Sequence, residues 1–233
     1  MYKRQQLGPV VKEPGNLLGE SILHRFEALG VALPMLTVQH RMNREIQSLV
    51  SEVYGPEYQP APEVAEHRLE VPDWELPPVL FIDTAGAGSE ARDSVTQSAF
   101  NSLEVKVVGV LLGMLRAAGV TTHRVGVIAP YSAQVRRIAA LPESKGVEVA
   151  TVNAFQGREA DVILVSFTRS NSDGILGFVS DRRRLTVATT RARLALVLVG
   201  DSGTLGRDRS FAELLERVPV ASVWEAPWSE VLD

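Results

Sequence analysis

Four short segments carry side chains able to do chemistry. Leu36-Thr-Val-Gln-His-Arg-Met-Asn43 holds Arg41, and Val125 to Gln134 ends in Ala-Pro-Tyr-Ser-Ala-Gln. Thr151-Val-Asn-Ala-Phe-Gln-Gly-Arg-Glu-Ala-Asp161 holds Arg158, and Gly177 to Ala192 holds Arg183, Arg184 and Arg191. A planar guanidinium keeps its charge when buried and bonds two phosphate oxygens at once. Gly157 permits close backbone approach to a ligand, and Glu159 can accept hydrogen bonds from sugar hydroxyls. Arg191 reads as part of a helix beside the small Ala192, which would aim it rigidly. Together these features fit the completing half of a split nucleoside-triphosphate site, because an arginine reaching across a cleft stabilises the charge that develops in phosphoryl transfer. The competing account is structural: arginines at helix starts pair with carboxylates such as Asp161 or Asp181. That account suits any one arginine better than it suits four segments in this order.

The elements that must position these residues alternate along the chain. Val79–Ile82, Val125–Ala129, Val147–Val152, Val162–Val165 and Leu194–Val199 read as buried strands, with a shorter one at Met35–Val38. They are short, apolar and rich in β-branched residues. Helical patterns cover Arg44–Tyr54, Ser98–Ala118, Ser132–Leu141, Arg182–Ala192 and Ser210–Val218, the second with Asn101 and Glu104 spaced as a cap. Near-continuous apolar strands between helices predict an α/β fold, doubly wound, with a mainly parallel sheet and helices on both faces. Each of the four segments adjoins a strand, so all are expected at one sheet edge, and ligands in such folds sit beyond the carboxyl ends of the strands. Pro56–Pro78, with six prolines, reads as an exposed excursion, and Ala85–Ser94 as a mobile loop. The expected organisation is an N-terminal arm over residues 1–34 and a single domain over 35–233.

Composition narrows the class. The 233 residues are 45% hydrophobic and 22% charged, as in a soluble globular protein. No apolar run is long enough to span a membrane, and nothing at Met1–Gln6 resembles a secretory signal. The chain has no cysteine, which excludes disulfide scaffolds and thiolate chemistry and is compatible with a cytoplasmic setting. Four scattered histidines make no metal set, so no metal site is expected. Net charge is −4, yet Arg124 to Arg193 holds eleven Lys and Arg against six Asp and Glu. That basic segment on an acidic chain makes a polyanion partner plausible.

Several motifs are missing. Gly-Lys occurs nowhere, so there is no P-loop, and neither G-x-G-x-x-G nor G-x-S-x-G is present. Asp83-Thr84-Ala85-Gly86 resembles a GTPase switch but reads better as a strand-to-loop turn. Glu104-Val105-Lys106 has a nuclease-like spacing but reads as a solvated helix face.

Taken in order, the motifs resemble the second, C-terminal RecA-like domain of a superfamily 1 helicase of the type containing the nonsense-mediated-decay and immunoglobulin-mu-binding-protein helicases. The resemblance rests on Leu36–Met42, Phe81–Gly86, Ser98-x-x-Asn-x-x-Glu104, Ala129-Pro-Tyr-x-x-Gln134, Phe155–Glu159, Ser166–Asn171 and the Arg-Arg-Leu-x-Val-Ala-x-Thr-Arg-Ala run ending at Ala192. Gln6-Leu-Gly-Pro9 is similar to the end of the motif that closes the first RecA-like domain.

The resemblance implies ATP-driven translocation on single-stranded DNA or RNA, 5′ to 3′, with ATP and Mg2+ as cofactors and Mg2+ held mainly by a first RecA-like domain that also carries the P-loop. By motif, Arg41 and Arg191 would contact the γ-phosphate, and Gly157 and Glu159 would meet phosphate and ribose. Gln6 would sense the γ-phosphate, and His40 stands where the family has an adenine-stacking tyrosine. Pro130, Tyr131, Thr151, Asn153, Arg169 and Asn171 would lie along the nucleic acid. Asn153 stands in place of the family's aspartate, and Thr186 in place of its asparagine. Without a P-loop this chain alone is expected neither to hydrolyse ATP nor to unwind duplexes. The rival expectation is a stand-alone module that binds single-stranded nucleic acid or a protein and has no ATP cycle.

Overall fold

The computed structural model describes residues 22–32, 34–72, 75–219 and 222–225. Gln6 lies outside them. In chain order the helices and strands are α1 (Ile22–Ala28), β1 (Val38–Gln39), α2 (Arg44–Ser48), α3 (Ser51–Tyr54), β2 (Gln59–Pro60), α4 (Pro62–Ala65), β3 (Val79–Asp83), β4 (Ala91–Arg92), β5 (Ala99–Phe100), α5 (Ser102–Ala117), β6 (Val125–Ala129), α6 (Ser132–Ala139), β7 (Glu148–Thr151), β8 (Ala160–Ser166), α7 (Arg182–Thr189), β9 (Ala192–Gly200), α8 (Ser202–Leu205), α9 (Arg209–Leu215) and β10 (Val223–Glu225).

Six strands form one sheet in the order β10-β3-β9-β8-β6-β7, and every pairing is parallel. Side chains alternate across it, as the period of a strand requires. Ile128, Ile163, Val165, Leu196 and Leu198 point to one face, where residues of α2, α3, α7 and α9 cover them. Val127, Val162, Leu164, Val197 and Val199 point to the other, against Leu103 to Leu115 of α5 and Ile138 of α6. The expected doubly wound α/β fold is therefore present.

Local chemistry explains where the elements stop. Asn101 caps α5 by accepting from the backbone N–H groups of Leu103 and Glu104, so the helix starts at Ser102, and Ala99–Phe100 is free to form β5. Asp181 caps α7, and that helix ends at Thr189. Arg191 is thus in the turn before β9 and not in a helix, because Ala192 already pairs with Ala160 of β8. The expected helix over Arg44–Tyr54 is two short ones. Pro56–Pro78 is not merely an exposed excursion: Ala61, Ala65, Leu69 and Leu76 are buried, and β2 pairs with β1. Ala85–Ser94 is tied down by Glu90, described below.

Candidate functional site

The four segments do not share one sheet edge. Because all six strands run the same way, the residues preceding β8 and β9 lie at their amino ends, and those following β6, β7 and β8 lie at the carboxyl ends. Gly157, Glu159 and Arg191 belong to the first group; Pro130, Tyr131, Asn153, Arg169 and Asn171 belong to the second. The expectation of a single edge beyond the carboxyl ends is corrected accordingly: strand direction separates the two groups by the length of the strands.

At the amino edge Gln39 builds the turn that aims Arg41. Its side-chain oxygen accepts from the N–H groups of Arg41 and Met42, each at 2.8 Å, and its amide donates to the Met42 carbonyl at 2.7 Å. Asn43 then caps α2 and donates to the Leu194 carbonyl at 2.9 Å, which docks the turn on β9. Arg41 pairs through Nε with Glu159 and donates to the Thr190 carbonyl at 3.1 Å. Arg191 is half-buried. It donates to the Val187 carbonyl at 2.9 Å and to the Thr190 hydroxyl at 2.8 Å. Burial pushes its pKa down, and the Arg41 guanidinium beside it adds to that. Two crowded guanidiniums, one poorly solvated, gain most from an added anion.

His40, Arg41, Tyr58 and Glu159 line a cleft of about 360 Å3 at this edge. His40 is exposed and bonds Glu63 at 2.7 Å. Tyr58 stacks on Tyr54 with ring centroids 4.4 Å apart, and burial pushes the Tyr54 hydroxyl up to about 12. Sequence reasoning missed both tyrosines, because Tyr54 read as the end of a helix and Tyr58 as part of the Pro56–Pro78 excursion. Gly157 has a φ of 83° and open space around it, so a ligand can approach its backbone directly. The donors here are mainly cationic, which fits the oxygens of a triphosphate. They do not fit a divalent cation, for which Glu159 is the one carboxylate lining the cleft among the described residues.

At the carboxyl edge Pro130, Tyr131, Thr151 and Asn153 line one open groove of about 580 Å3. Arg169 and Asn171 are held behind it. Arg169 is 4% exposed. It donates to Glu90 at 2.6 Å and to the Tyr131 hydroxyl at 3.0 Å. Glu90 also accepts from the Ser170 N–H at 3.0 Å and the Asn171 amide at 3.1 Å. Burial alone would raise the Glu90 carboxyl; the three donors, Arg169 first, outweigh it and hold it below the usual range. The Tyr131 hydroxyl is turned inward to the Leu176 carbonyl at 3.2 Å. Thr186 bonds along its own helix, to the Arg182 carbonyl at 2.9 Å, and not to the sheet.

Glu104 corrects the solvated-face reading of Glu104-Val105-Lys106, because its side chain is fully buried. Its carboxyl accepts from the Ser166 hydroxyl at 2.6 Å and the Thr168 N–H at 2.9 Å. Thr168 sits at a φ of 75°, a conformation that non-glycine residues rarely adopt, so Glu104 fixes the exit of β8. Burial is the main cause that pushes the Glu104 carboxyl up to about 8. Gln134 joins the same network, donating to Ser166 at 2.8 Å and accepting from the Asn101 N–H at 2.9 Å. Asp83 accepts from the N–H groups of Ala85 and Ser202, each at 3.0 Å, as a strand-to-loop turn requires.

Among the described residues no helix is long and apolar enough to cross a membrane. The AAA domain family matches residues 18–203. The mouse DNA-binding protein SMUBP-2 is 39% identical over 191 residues, covering 78% of this chain and 19% of that protein. Regulator of nonsense transcripts 1 of Caenorhabditis elegans is 37% identical over 228 residues, covering 90% and 21%. The ATP-dependent helicase NAM7 of Saccharomyces cerevisiae is 33% identical over 229 residues, covering 91% and 23%. The chain spans about a fifth of the length of these relatives. With most of its length matched, and with a parallel sheet sandwiched between helices, the chain belongs to the AAA domain family as a C-terminal RecA-like domain of the superfamily 1 helicase type that includes these relatives.

Proposed function

We propose that this chain is the C-terminal motor half of an ATP-dependent helicase or translocase that moves 5′ to 3′ on single-stranded nucleic acid. The observation that carries this reading is the division of one sheet into two working edges. Arg41 and Arg191 crowd together at the amino ends of β8 and β9, and an open groove lies beyond the carboxyl ends of β6 and β7. Strand β8 joins the two sides, running from Glu159 to the Ser166–Arg169 exit. Its seven residues span roughly 20 Å at about 3.3 Å each. Its residues pair with β6 on one side and β9 on the other.

In this reading ATP supplies the phosphoryl group whose transfer releases energy, and a first RecA-like domain supplies the P-loop and most of the Mg2+ ligands. The residues of this chain bind and orient. Arg41 and Arg191 would hold phosphate oxygens and stabilise charge on the transferring group, and Glu159 would accept from a sugar hydroxyl. By their motif positions, Gln6 and His40 would add to the nucleotide contacts. At the other edge Pro130, Tyr131, Thr151 and Asn153 contact the strand, and Arg169 and Asn171 support that surface from behind.

The test is ATP turnover by this chain and by a protein that joins it to a P-loop-bearing RecA-like domain. The chain alone stays at background, and the joined protein hydrolyses ATP with stimulation by single strands. Arg191→Ala lowers turnover by about 10³-fold or more, as loss of an arginine finger does, and leaves oligonucleotide affinity within about two-fold, because no phosphate contact to the strand is lost. Turnover by the isolated chain that disappears in Arg191→Ala would overturn the reading. Oligonucleotide binding without any nucleotide-dependent change in the joined protein would favour a binding module.

A further inference from the structure

The groove beyond β6 and β7 has an outer wall made by a two-stranded hairpin. β4 and β5 pair antiparallel, Ala91 with Phe100 and Arg92 with Ala99. The turn between them is well tied. The Asp93 carboxylate accepts from the Thr96 N–H at 2.9 Å and from its hydroxyl at 2.8 Å, and the Asp93 N–H donates to the Ser98 carbonyl at 3.0 Å. Gln97 takes a left-handed φ of 57°, and Arg92 donates to its carbonyl at 3.0 Å. The base of the hairpin is fixed to α6, the helix that follows Pro130-Tyr131. Ser98 accepts from the Ala133 N–H at 3.1 Å and from the Ser132 hydroxyl at 3.3 Å, and Arg137 lies 3.5 Å over the Phe100 ring.

The hairpin contributes Arg92, Thr96, Gln97 and Ser98 to the groove; Arg184 of α7 lines it as well, with Thr151, Val152 and Asn153 after β7. Among the described residues two guanidiniums and no carboxylate line it, in a chain whose net charge is −4. Arg92 is exposed, and Arg184 is half-buried and pairs with Asp181 at 3.8 Å. Half-buried Pro130 gives the same groove an apolar edge, and Tyr131 and Val152 are buried beneath it. Cations among hydroxyl and amide groups, with no opposing carboxylate among the lining residues, match the phosphates and polar edges of a polynucleotide.

We propose that the β4–β5 hairpin is the outer wall of the single-strand groove, with Arg92 and Arg184 as its phosphate contacts. This rests on the reading of the carboxyl edge as the nucleic-acid edge.

The test is fluorescence anisotropy of this chain with labelled oligothymidylate and oligouridylate across a salt series, with thermal melts to compare folding. Arg92→Gln keeps a donor for the Gln97 carbonyl and removes the charge; Arg184→Gln removes the charge from an independent element. Each is expected to weaken binding several-fold and to lower the slope of log affinity against log salt by about 0.7, the loss of one phosphate contact on a single strand. Arg92→Lys is expected to restore the slope. Arg116→Gln, at the far end of α5, is expected to change neither. If the wild-type chain binds and both variants keep its affinity and slope, or if Arg116→Gln shifts the slope equally, the hairpin assignment is overturned and the nucleic-acid edge stands. Competition by polyglutamate as effective as by oligonucleotide overturns the choice of occupant. Absence of saturable binding by the wild-type chain removes both the hairpin assignment and the reading beneath it.

Discussion

Single side chains here are set by partners far away in sequence. Glu104 is a carboxyl with no cation among its hydrogen-bond partners, and desolvation raises its pKa to about 8 from 4.5. Between those values the folded protein holds a proton that the unfolded chain releases, so stability is full below about pH 4.5 and falls as pH rises through about 8. The melting temperature is therefore expected to drop between mildly acidic and mildly alkaline buffer. Glu104→Gln, which cannot ionise, should flatten that dependence; an unchanged pH profile in the variant would show that another group carries it. Arg169 illustrates the same point for function. Its motif position marks it as a strand contact, yet it is buried, with Nε held by Glu90 and one terminal nitrogen by Tyr131. Removing one partner of a buried ion pair costs about 3 kcal/mol or more. Glu90→Ala should accordingly lower stability by that order and loosen the groove floor beneath Tyr131, measured as denaturant midpoint and as oligonucleotide off-rate.

Among the elements, the strands were the most legible part of the sequence. Five apolar runs gave five sheet strands with shifts of one or two residues at their ends, because burial on both faces demands continuous apolar side chains. β10 was not foreseen, since Ser222-Val-Trp-Glu225 is too short and polar to declare itself. Helix ends were less legible. The Arg182–Ala192 pattern is helical by composition, but pairing of Ala192 with Ala160 claims the last residues for β9. Close packing makes one strand position particularly intolerant. A methyl group on Gly126 of β6 would lie 2.6 Å from the Phe155 ring and 2.9 Å from Ile163. Gly126→Ala is expected to destabilise by about 1–3 kcal/mol, as overpacking does, visible as a lower urea midpoint at unchanged slope.

In the whole molecule, a single parallel sheet keeps the two sets of motif residues apart while connecting them. Arg41→Ala acts at the amino edge, so oligonucleotide affinity of the chain should stay within about two-fold of wild type, because sites that share no partners behave additively. A large loss of affinity would mean that the two edges are one site. By itself the sequence determined the α/β class, most of the strands, the order of the motifs and the resemblance to a helicase C-terminal domain, because apolar periodicity and motif spacing are properties of a one-dimensional chain. Tertiary structure alone decided which motif residues share an edge, that Arg169 and Glu104 are buried, that Tyr54 and Tyr58 flank the arginines, and that a hairpin walls the groove. Those outcomes depend on strand direction and on partners tens of residues distant, such as Glu104 with Ser166 or Arg169 with Glu90, and only the folded chain brings such pairs into contact.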